Sequence, residues 1–249
     1  MTGFHIITVF PSAFDSYFKE GILGKALAAG LFTVKVHDLR AFAEGKSRAT
    51  DDYPFGGGHG MVMKPGPVIR AIRAIKEEKP EAFVILLTPQ GMPFSQPLAW
   101  DLSKKRDMVL VCGRYEGVDE RVAEHYVDME LSIGDYVVTG GELPAMVVID
   151  AVARLIPGVV GEEASVREDS HAGALLKYPQ YTRPRVFEGL SVPEVLLSGD
   201  HGRIAKWRRY EALKRTWLRR PELVAAASLS AEDKETLERI KSEVAYGDR

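Results

Sequence analysis

Residues 108–117 read Met-Val-Leu-Val-Cys-Gly-Arg-Tyr-Glu-Gly, an apolar run that leads directly into a polar loop bounded by glycines. A continuous apolar run of this length is typical of a strand buried on both faces of a parallel sheet. A similar run and loop occupy residues 83–91, and an alternating strand with a glycine loop occupies residues 127–142. These segments predict three strands that each end in a glycine loop.

Helical patterns separate the predicted strands. A helix is predicted to begin at Pro67, a second to run from Ser95 to about Arg106, and a long apolar one to begin at Pro144 and close at Pro157-Gly158. Two further strands are predicted at residues 4–9 and 31–36. Because strands alternate with helices, the sequence predicts an α/β fold with a parallel sheet.

The pattern changes after residue 158. Residues 158–173 are polar and acidic, which is typical of a mobile linker. Residues 192–198, 204–218 and 231–246 have helical spacing, and no strand pattern occurs among them. We therefore expect a small, all-helical C-terminal domain.

The three glycine loops predict a ligand site. The carboxyl ends of neighbouring parallel strands open into one crevice, and glycine lets the backbone approach a ligand there closely. A single such loop is more often only a tight turn, but three in succession favour a binding site. None of them has the GxGxxG or GK[ST] pattern, and Met61 follows the glycine run at residues 56–60 where a P-loop needs lysine. The motifs thus exclude a dinucleotide fingerprint and a P-loop.

Composition narrows the class of protein further. The net charge is −2, so a nucleic-acid surface would have to come from local clustering. The single cysteine, Cys112, excludes an internal disulfide and a cysteine-rich zinc site, and no metal-binding cluster is expected. The N-terminus lacks the pattern of a signal peptide, and the apolar runs are well short of the ~20 residues of a membrane span. We expect a cytoplasmic protein without a membrane segment.

Several motifs resemble hallmarks of the bacterial tRNA (guanine-N1)-methyltransferases. That family methylates guanine 37, next to the anticodon of tRNA, and belongs to the trefoil-knotted (SPOUT) superfamily. The resemblance runs along essentially the whole chain in order, with departures from the family pattern at His59, His171, Tyr178, Gln180 and Asp200. The motifs that carry it are Gly113-Arg114-Tyr115-Glu116-Gly117-Val118-Asp119-Glu120-Arg121, Ser132-Ile133-Gly134-Asp135-Tyr136, Gly140-Gly141-Glu142-Leu143-Pro144, Tyr181-Thr182-Arg183-Pro184 and Leu196-Leu197-Ser198-Gly199.

The resemblance implies an architecture that periodicity does not reveal. It implies a deep trefoil knot in the parallel sheet, S-adenosyl-L-methionine held inside the knot, and a homodimer with active sites at the subunit interface. The implied domains are a knotted cofactor-binding domain at 1–158, a mobile interdomain linker at 159–175 and a helical tRNA-binding domain at 176–249. The family's cofactor contacts fall here on Pro89, Gly91, Gly113, Glu116, Ile133, Gly134, Asp135, Tyr136, Val137, Val138, Gly140 and Gly141.

Methylation of guanine N1 requires a base for the N1 proton and a cation for the charge that develops on O6. The resemblance implies that Asp169 is the base and Arg154 the assisting cation. Each has a simpler interpretation, since Arg154 could pair with Asp150 one helical turn away and Asp169 could be a solvated linker residue. His171 is a rival base, because the ordinary histidine pKa lies nearer neutrality.

The C-terminal half also contains a basic segment. Residues 203–220 include eight basic residues and one acidic residue, a local excess of +7 against −2 for the whole chain. The spacing of Trp207, Tyr210, Leu213 and Trp217 indicates a domain core rather than a stacking platform. The basic residues around that stripe predict a phosphate-binding face, the alternative being a solvated helix. The residues predicted to contact RNA are Arg203, Arg208, Arg209 and Arg215.

Three functions remain open from the sequence. The first is guanine-N1 methylation of tRNA. The second is a knotted methyltransferase that acts on a ribose hydroxyl or another base, and the third is a non-catalytic RNA-binding protein with a nucleoside crevice. Methyl transfer to bulk tRNA distinguishes the third from the other two, and nucleoside analysis of the product distinguishes the first two.

Overall fold

The computed structural model of the protein describes residues 1–161, 169–171 and 175–247. The chain divides into two compact units, Met1–Glu163 and Ala164–Arg249. Each unit has its own cluster of buried apolar side chains.

A parallel sheet forms the centre of the first unit. Among the described residues, five strands lie in the order β2-β1-β6-β5-β7, and every neighbouring pair is parallel. The predicted parallel α/β fold is therefore confirmed. The strands are β1 (Thr2–Thr8), β2 (Phe32–Asp38), β5 (Phe83–Pro93), β6 (Asp107–Cys112) and β7 (Met129–Ser132), and a small antiparallel pair consists of β3 (Asp51–Asp52) and β4 (Val62–Met63).

Helices connect these strands. They are α1 (Gly21–Ala28), α2 (Pro65–Glu78), α3 (Gln96–Ser103), α4 (Glu120–Tyr126) and α5 (Glu142–Ala153). Short 3₁₀ turns occur at Pro11–Phe14, Tyr17–Lys19 and Leu39–Phe42. Asp119 caps α4 as its position predicts, because its carboxylate accepts a hydrogen bond from the Arg121 N–H at 3.1 Å. In the part of the chain that the structure describes, no helix is long and apolar enough to cross a membrane.

Apolar side chains cover both faces of the sheet. On one face, Ile72 of α2 is buried in a cluster with Ile7 of β1 and Val109 of β6. Ile6 points to the opposite face, since successive side chains of a strand alternate, and it is also fully buried. Helix α5 contacts β1 and β6. Burial on both faces explains why the strands consist of continuous apolar runs.

Strand β5 is longer than the sequence predicts. The apolar run ends at Leu87, but pairing with β7 resumes at Met92 and Pro93 after an irregularity between Leu87 and Met92. The predicted loop at residues 88–91 is thus a bulge inside a strand. The prediction was wrong here because Pro89 and Gly91 are ordinary turn residues, and the sequence does not reveal that β7 pairs with the residues beyond them.

The second unit is built around three described helices, α6 (His201–Arg219), α7 (Pro221–Ala226) and α8 (Ala231–Gly247). A 3₁₀ turn at Glu194–Leu197 precedes them. Leu213 and Ile240 are fully buried, and Tyr210 and Trp217 pack against their cluster. Three residues of the predicted stripe, Tyr210, Leu213 and Trp217, therefore belong to the core of this unit, as their spacing predicts. The fourth, Trp207, is outside this cluster, and its ring lies 6.3 Å from that of Tyr181.

The expectation that this unit is all-helical was wrong in one detail. Strands β8 (Val186–Phe187) and β9 (Leu190–Ser191) form an antiparallel hairpin. Glu188 and Gly189 connect them with φ values of 50° and 81°, as a two-residue turn with positive φ at both positions requires. Strands of two residues are too short to give an alternating pattern, and Glu-Gly is a weaker turn signal than Asn-Gly or Asp-Gly.

The predicted linker at 159–175 falls largely on residues outside the described ranges. Residues 162–168 and 172–174 are not described, and these include Glu162, Glu163, Arg167 and Glu168 of the acidic stretch. The assignment of 159–175 as a mobile linker stays a prediction.

Two stacked histidines on β1 and β2, His5 and His37, have pKa values below the ordinary histidine value. Their nitrogens, His5 Nδ1 and His37 Nε2, lie 3.1 Å apart. Burial lowers the pKa of His37 to about 4 and also lowers the pKa of His5. The charged groups acting on the pair are Lys35, Glu78, Lys79 and Asp107.

We expect the free energy of unfolding to decrease as the pH falls from about 6.5 to 4. In this range the unfolded chain binds protons that the folded histidines do not, so acid favours unfolding. The loss should be about 1–2 kcal/mol, since one pKa unit is worth ~1.4 kcal/mol and partial exposure reduces the full effect. Urea titrations across this pH range measure it. His37→Gln should flatten the slope, whereas replacing the exposed His125 should not; equal slopes in all three proteins would refute this origin.

Candidate functional site

The three predicted glycine loops surround one cavity of about 230 Å³, the first as the bulge inside β5 and the other two after β6 and β7. The prediction that these segments open into a common crevice is therefore confirmed, although the first of them is not a strand end. The predicted ligand residues that line the cavity are Pro89, Gly113, Glu116, Ile133, Gly134, Tyr136, Val137, Val138, Gly140 and Gly141.

Two predicted ligand residues, Gly91 and Asp135, lie outside this lining. Asp135 is exposed. Gly91 lies against β7, where an added Cβ would come within 2.3 Å of the Leu131 backbone nitrogen and 2.4 Å of the Glu130 carbonyl carbon. The absence of a side chain at Gly91 lets the bulged β5 remain paired with its neighbour.

The second and third loops approach each other through their backbones. The Gly141 N–H donates a hydrogen bond to the Gly113 carbonyl at 2.8 Å. A Cβ on Gly141 would lie 2.5 Å from the Cα of Cys112, and one on Gly113 would lie 3.3 Å from the Leu87 carbonyl oxygen. Glycine is therefore required at position 141 by the packing of one loop on another, whatever ligand the cavity binds, and Gly113 packs tightly against β5.

Arg114 and Glu142 form an ion pair beside the cavity, although neither residue was predicted from the sequence to belong to the site. Arg114 Nε and a terminal nitrogen lie 2.9 and 2.8 Å from Glu142 Oε2. The other terminal nitrogen donates to the Thr139 carbonyl at 3.0 Å. The sequence indicated them only through their positions, because Arg114 lies within the glycine loop after β6 and Glu142 directly follows the glycine loop after β7.

The loop after β6 is also held by the glycine-rich segment that precedes β4. The Glu116 N–H donates to the Met61 carbonyl at 2.9 Å, and a Cβ on Gly60 would come within 2.6 Å of the Glu116 side chain. Tyr115 has a φ of 60°, a left-handed conformation that is uncommon for a non-glycine residue. Tyr115 lines the cavity and is half exposed. Strained residues of this kind are concentrated at functional sites.

The cavity has the chemistry of a binding site rather than that of a covalent catalyst. The nearby Cys112 is fully buried, and this burial raises the pKa of its thiol well above the usual range. A neutral thiol in this position is a poor nucleophile. Among the described residues, no group of three or more His, Cys, Asp or Glu side chains could hold a metal ion. The polar groups around the cavity include loop backbone and the side chains of Thr88, Gln90, Arg114, Tyr115, Glu116, Glu120, Glu130, Ser132, Tyr136 and Thr139.

Arg154 lies at the carboxyl end of α5, where it is partly buried. Its N–H donates to the Asp150 carbonyl at 3.2 Å. The Asp150 carboxylate accepts a hydrogen bond from the Tyr17 hydroxyl at 2.5 Å, which raises the pKa of Tyr17 to about 12. Helix α5 and the turn of residues 17–19 thus fix the backbone that carries Arg154.

Asp169 belongs to the second unit. Lys177 Nζ lies 3.0 Å from Asp169 Oδ1, and the Lys177 N–H donates to Ser170 Oγ at 3.0 Å. His171, the rival base, has a φ of 71° and donates its N–H to the Leu175 carbonyl at 3.1 Å. Asp169 and Arg154 are thus described in separate units, and their pairing in one site stays a prediction.

The basic helix α6 contains arginines of two kinds. Arg209 makes a bidentate ion pair with the buried Asp233, with distances of 2.7 and 2.8 Å. Arg203 and Arg208 are exposed, and Arg215 is partly buried. Asp200 caps α6 by accepting from the Arg203 N–H at 3.0 Å. Arg209 therefore serves the packing of this unit although about half of its side chain is exposed, whereas Arg203 and Arg208 can present their charge to solvent.

Comparison of the sequence with known proteins identifies the family that the chain matches. Residues 2–226 match the family described as tRNA (Guanine-1)-methyltransferase TrmD. The chain is similar to a tRNA (guanine-N(1)-)-methyltransferase of Dictyoglomus turgidum, with 56% identity over 96% of both chains. It is 52% identical to one of Syntrophotalea carbinolica over 99% of both chains. It is 55% identical to one of Chloroflexus aggregans over 90% of this chain and 88% of the relative.

We expect Gly91→Ala to destabilise the first unit by about 2–4 kcal/mol, because a Cβ would overlap backbone atoms that cannot move without breaking β5–β7 pairing. Urea denaturation measures the change. Gly161→Ala is the matched control, since a Cβ there meets nothing within 4 Å. A Gly91→Ala protein as stable as the control would contradict a packing role for this glycine.

Proposed function

Because the chain belongs to the tRNA (guanine-1)-methyltransferase family, we propose that it transfers a methyl group from S-adenosyl-L-methionine to N1 of guanine 37, next to the anticodon of tRNA. Membership confirms the resemblance drawn from the sequence motifs. The structural observation that carries the proposal is the cavity in which three glycine loops meet.

The cavity suits the proposed cofactor. Its loops bring backbone carbonyl and N–H groups close together, and such groups can hydrogen-bond the edge of an adenine. Glu116 supplies a carboxylate that could meet ribose hydroxyls or a cationic group. When bound, S-adenosylmethionine supplies a methyl group already activated by a positively charged sulfur. The protein therefore needs no nucleophile of its own, in keeping with the buried thiol of Cys112.

The remaining chemistry falls to two side chains. Asp169 would accept the N1 proton of guanine, and Arg154 would stabilise the negative charge that develops on O6. Lys177 already lies 3.0 Å from the Asp169 carboxylate, so a cation adjoins the proposed base. An ionised carboxylate is the form that can accept a proton.

A homodimer is supported by apolar side chains that the single chain leaves exposed. On α5, Leu143 and Val147 lie one turn apart and are 59% and 45% exposed, and Val137 of the preceding loop is 85% exposed. An apolar patch of this kind is typical of an interaction site. We propose that it is covered by a second copy of the chain, so that Arg154 and Asp169 of one site come from different subunits.

The rest of the proposal follows from the family. We propose that the parallel sheet contains the deep trefoil knot of the SPOUT superfamily and that the helical second unit binds tRNA. We also propose that the enzyme works in the cytoplasm, where its tRNA substrate is found.

The decisive experiment is methyl transfer from labelled S-adenosylmethionine to tRNA, followed by nucleoside analysis. 1-Methylguanosine at position 37 would support the proposal, and a tRNA with another base there should not be methylated. A ribose-methylated product or a different methylated base would indicate another knotted methyltransferase. The complete absence of transfer, with tRNA still bound, would indicate a non-catalytic RNA-binding protein.

We expect Asp169→Ala to lower the single-turnover rate of methyl transfer by ~10²–10⁴, the usual contribution of a general base. Arg154→Ala should also lower the rate. If the two residues act across the subunit interface, mixing both inactive variants forms heterodimers with one intact site and restores part of the activity. Single-turnover rates of the mixture measure this, with subunit exchange verified separately.

Asp101→Ala is the control, because Asp101 also pairs with a lysine, Lys104, at 2.8 Å but lies far from the proposed chemistry in sequence. It should keep the wild-type rate. A fully active Asp169→Ala enzyme would transfer the role of base to His171 or to water. No recovery after confirmed subunit exchange would mean that both residues act from the same chain.

Three arginines of α6, the exposed Arg203 and Arg208 and the partly buried Arg215, provide a separate test of tRNA binding. Replacing Arg203, Arg208 and Arg215 with alanine should weaken tRNA binding. It should also reduce the slope of log affinity against log salt concentration by about 2, because fewer phosphate contacts form and fewer counterions are released on binding. Binding measured across a series of salt concentrations gives this slope, and cofactor affinity should not change.

Arg209→Ala is the contrasting variant. It leaves the buried Asp233 without its bidentate partner, so it should lower the stability of the second unit more than the triple variant does. A triple variant with the wild-type salt slope would show that these arginines do not contact phosphate.

A further inference from the structure

The side chain of Arg114 joins the two loops that enclose one side of the cavity. It extends from the loop after β6, lies beside the Glu142 carboxylate, and donates to the Thr139 carbonyl at 3.0 Å. Its guanidinium also stacks on Phe10, with 4.6 Å from Cζ to the ring centroid. Of the Arg114 side chain, 21% is exposed. One guanidinium therefore contacts two separate segments of the chain, residues 139–142 and the segment that follows β1.

Glu142 anchors this arrangement from the other side. It is 3% exposed and lies at the first position of α5, where the helix dipole favours a negative charge. Its second oxygen, Oε1, accepts from the Thr8 hydroxyl at 2.6 Å, and the Thr8 oxygen accepts from the Phe10 N–H at 2.9 Å. Both carboxylate oxygens of Glu142 thus have partners, and the network extends to the end of β1.

Stability alone is a poor explanation for this pair. Taking two charges out of water is costly, and replacing a buried ion pair with uncharged groups of similar size is often neutral or stabilising. The planar guanidinium is, however, held in one orientation, because Nε and one terminal nitrogen both lie against Oε2 of Glu142 while the other terminal nitrogen donates to Thr139. The pair is better suited to setting the geometry of its surroundings.

The Arg114–Glu142 pair lies at the wall of the cavity. Arg114 and Thr139 both line the cavity, and a backbone bridge joins Arg114 to Gly140. An added Cβ on Gly140 would lie 2.1 Å from Arg114 Nε, so the arginine side chain lies directly against the backbone of the second loop. The guanidinium therefore acts together with the backbone hydrogen bond between Gly141 and Gly113 in holding the two loops at their spacing.

We propose that Arg114 and Glu142 are positioning residues that fix the spacing of loops 113–118 and 133–141 and thereby set the affinity for S-adenosylmethionine. This inference rests on the proposed function for the identity of the ligand. Arg114→Met should weaken binding about tenfold or more and should also destabilise the fold, because the Glu142 charge stays buried without its partner. Arg114→Lys should lose less affinity, since an ammonium keeps the charge but cannot hold Glu142 and Thr139 together.

A double variant separates positioning from stability. Arg114→Met combined with Glu142→Gln removes both charges and keeps an oxygen acceptor for the Thr8 hydroxyl. Thermal melts should show the double variant more stable than Arg114→Met alone. Calorimetric titration with S-adenosylmethionine and S-adenosylhomocysteine should show that its affinity remains about tenfold or more below that of the wild type. A purely structural pair predicts instead that affinity recovers together with stability.

Arg121→Met is the matched control. Arg121 makes a bidentate pair with Asp119 at 2.7 Å for both contacts, and neither residue lines the cavity. This variant should bind both ligands with the wild-type Kd. A double variant with wild-type affinity would overturn the positioning role. If the double variant does not fold, the affinity of Arg114→Lys is the test instead, and a wild-type value there would also overturn the positioning role. Failure of the wild type to bind either ligand would overturn the proposed function together with this inference.

Discussion

The cavity depends on the close approach of two backbone segments, at the end of β6 and at the start of α5. Gly141 donates to the Gly113 carbonyl at 2.8 Å, and a Cβ on Gly141 would lie 2.5 Å from the Cα of Cys112. Backbones can approach this closely only where no side chain intervenes. The glycines of these loops are therefore a condition for forming the cavity, before any ligand is considered.

This close approach also places charge in a nearly dry environment. Glu142 is 3% exposed, and its carboxylate is satisfied by Arg114 and Thr8. In low-dielectric surroundings a fully satisfied polar network holds its members in one arrangement, whereas an unpartnered member is costly. The network thus links the end of β1, the loop after β6 and the start of α5 into one rigid wall.

Binding and proton transfer use different parts of the chain in the function that we propose. The cavity wall is built from loops at the edge of a rigid sheet, whereas Asp169 belongs to the second unit, where Lys177 lies 3.0 Å away. Such a division lets the cofactor cavity form on a preorganised scaffold while the proposed base is delivered by another element. A dimer would provide the same division between two chains.

The sequence by itself determined the parallel α/β fold, because continuous apolar runs and helical periodicity reflect burial directly. It also determined the common crevice, since carboxyl ends of parallel strands must meet at one edge. Only the tertiary structure decided that Gly91 lies in a bulge against β7, that Arg209 pairs with Asp233, and that Arg114 meets Glu142. The sequence likewise did not predict hairpin β8–β9, because strands of two residues are too short to show a period. For Gly91, Arg209 and Arg114 the deciding contact joins residues distant in sequence, and no local pattern encodes which distant partner a glycine or an arginine will meet.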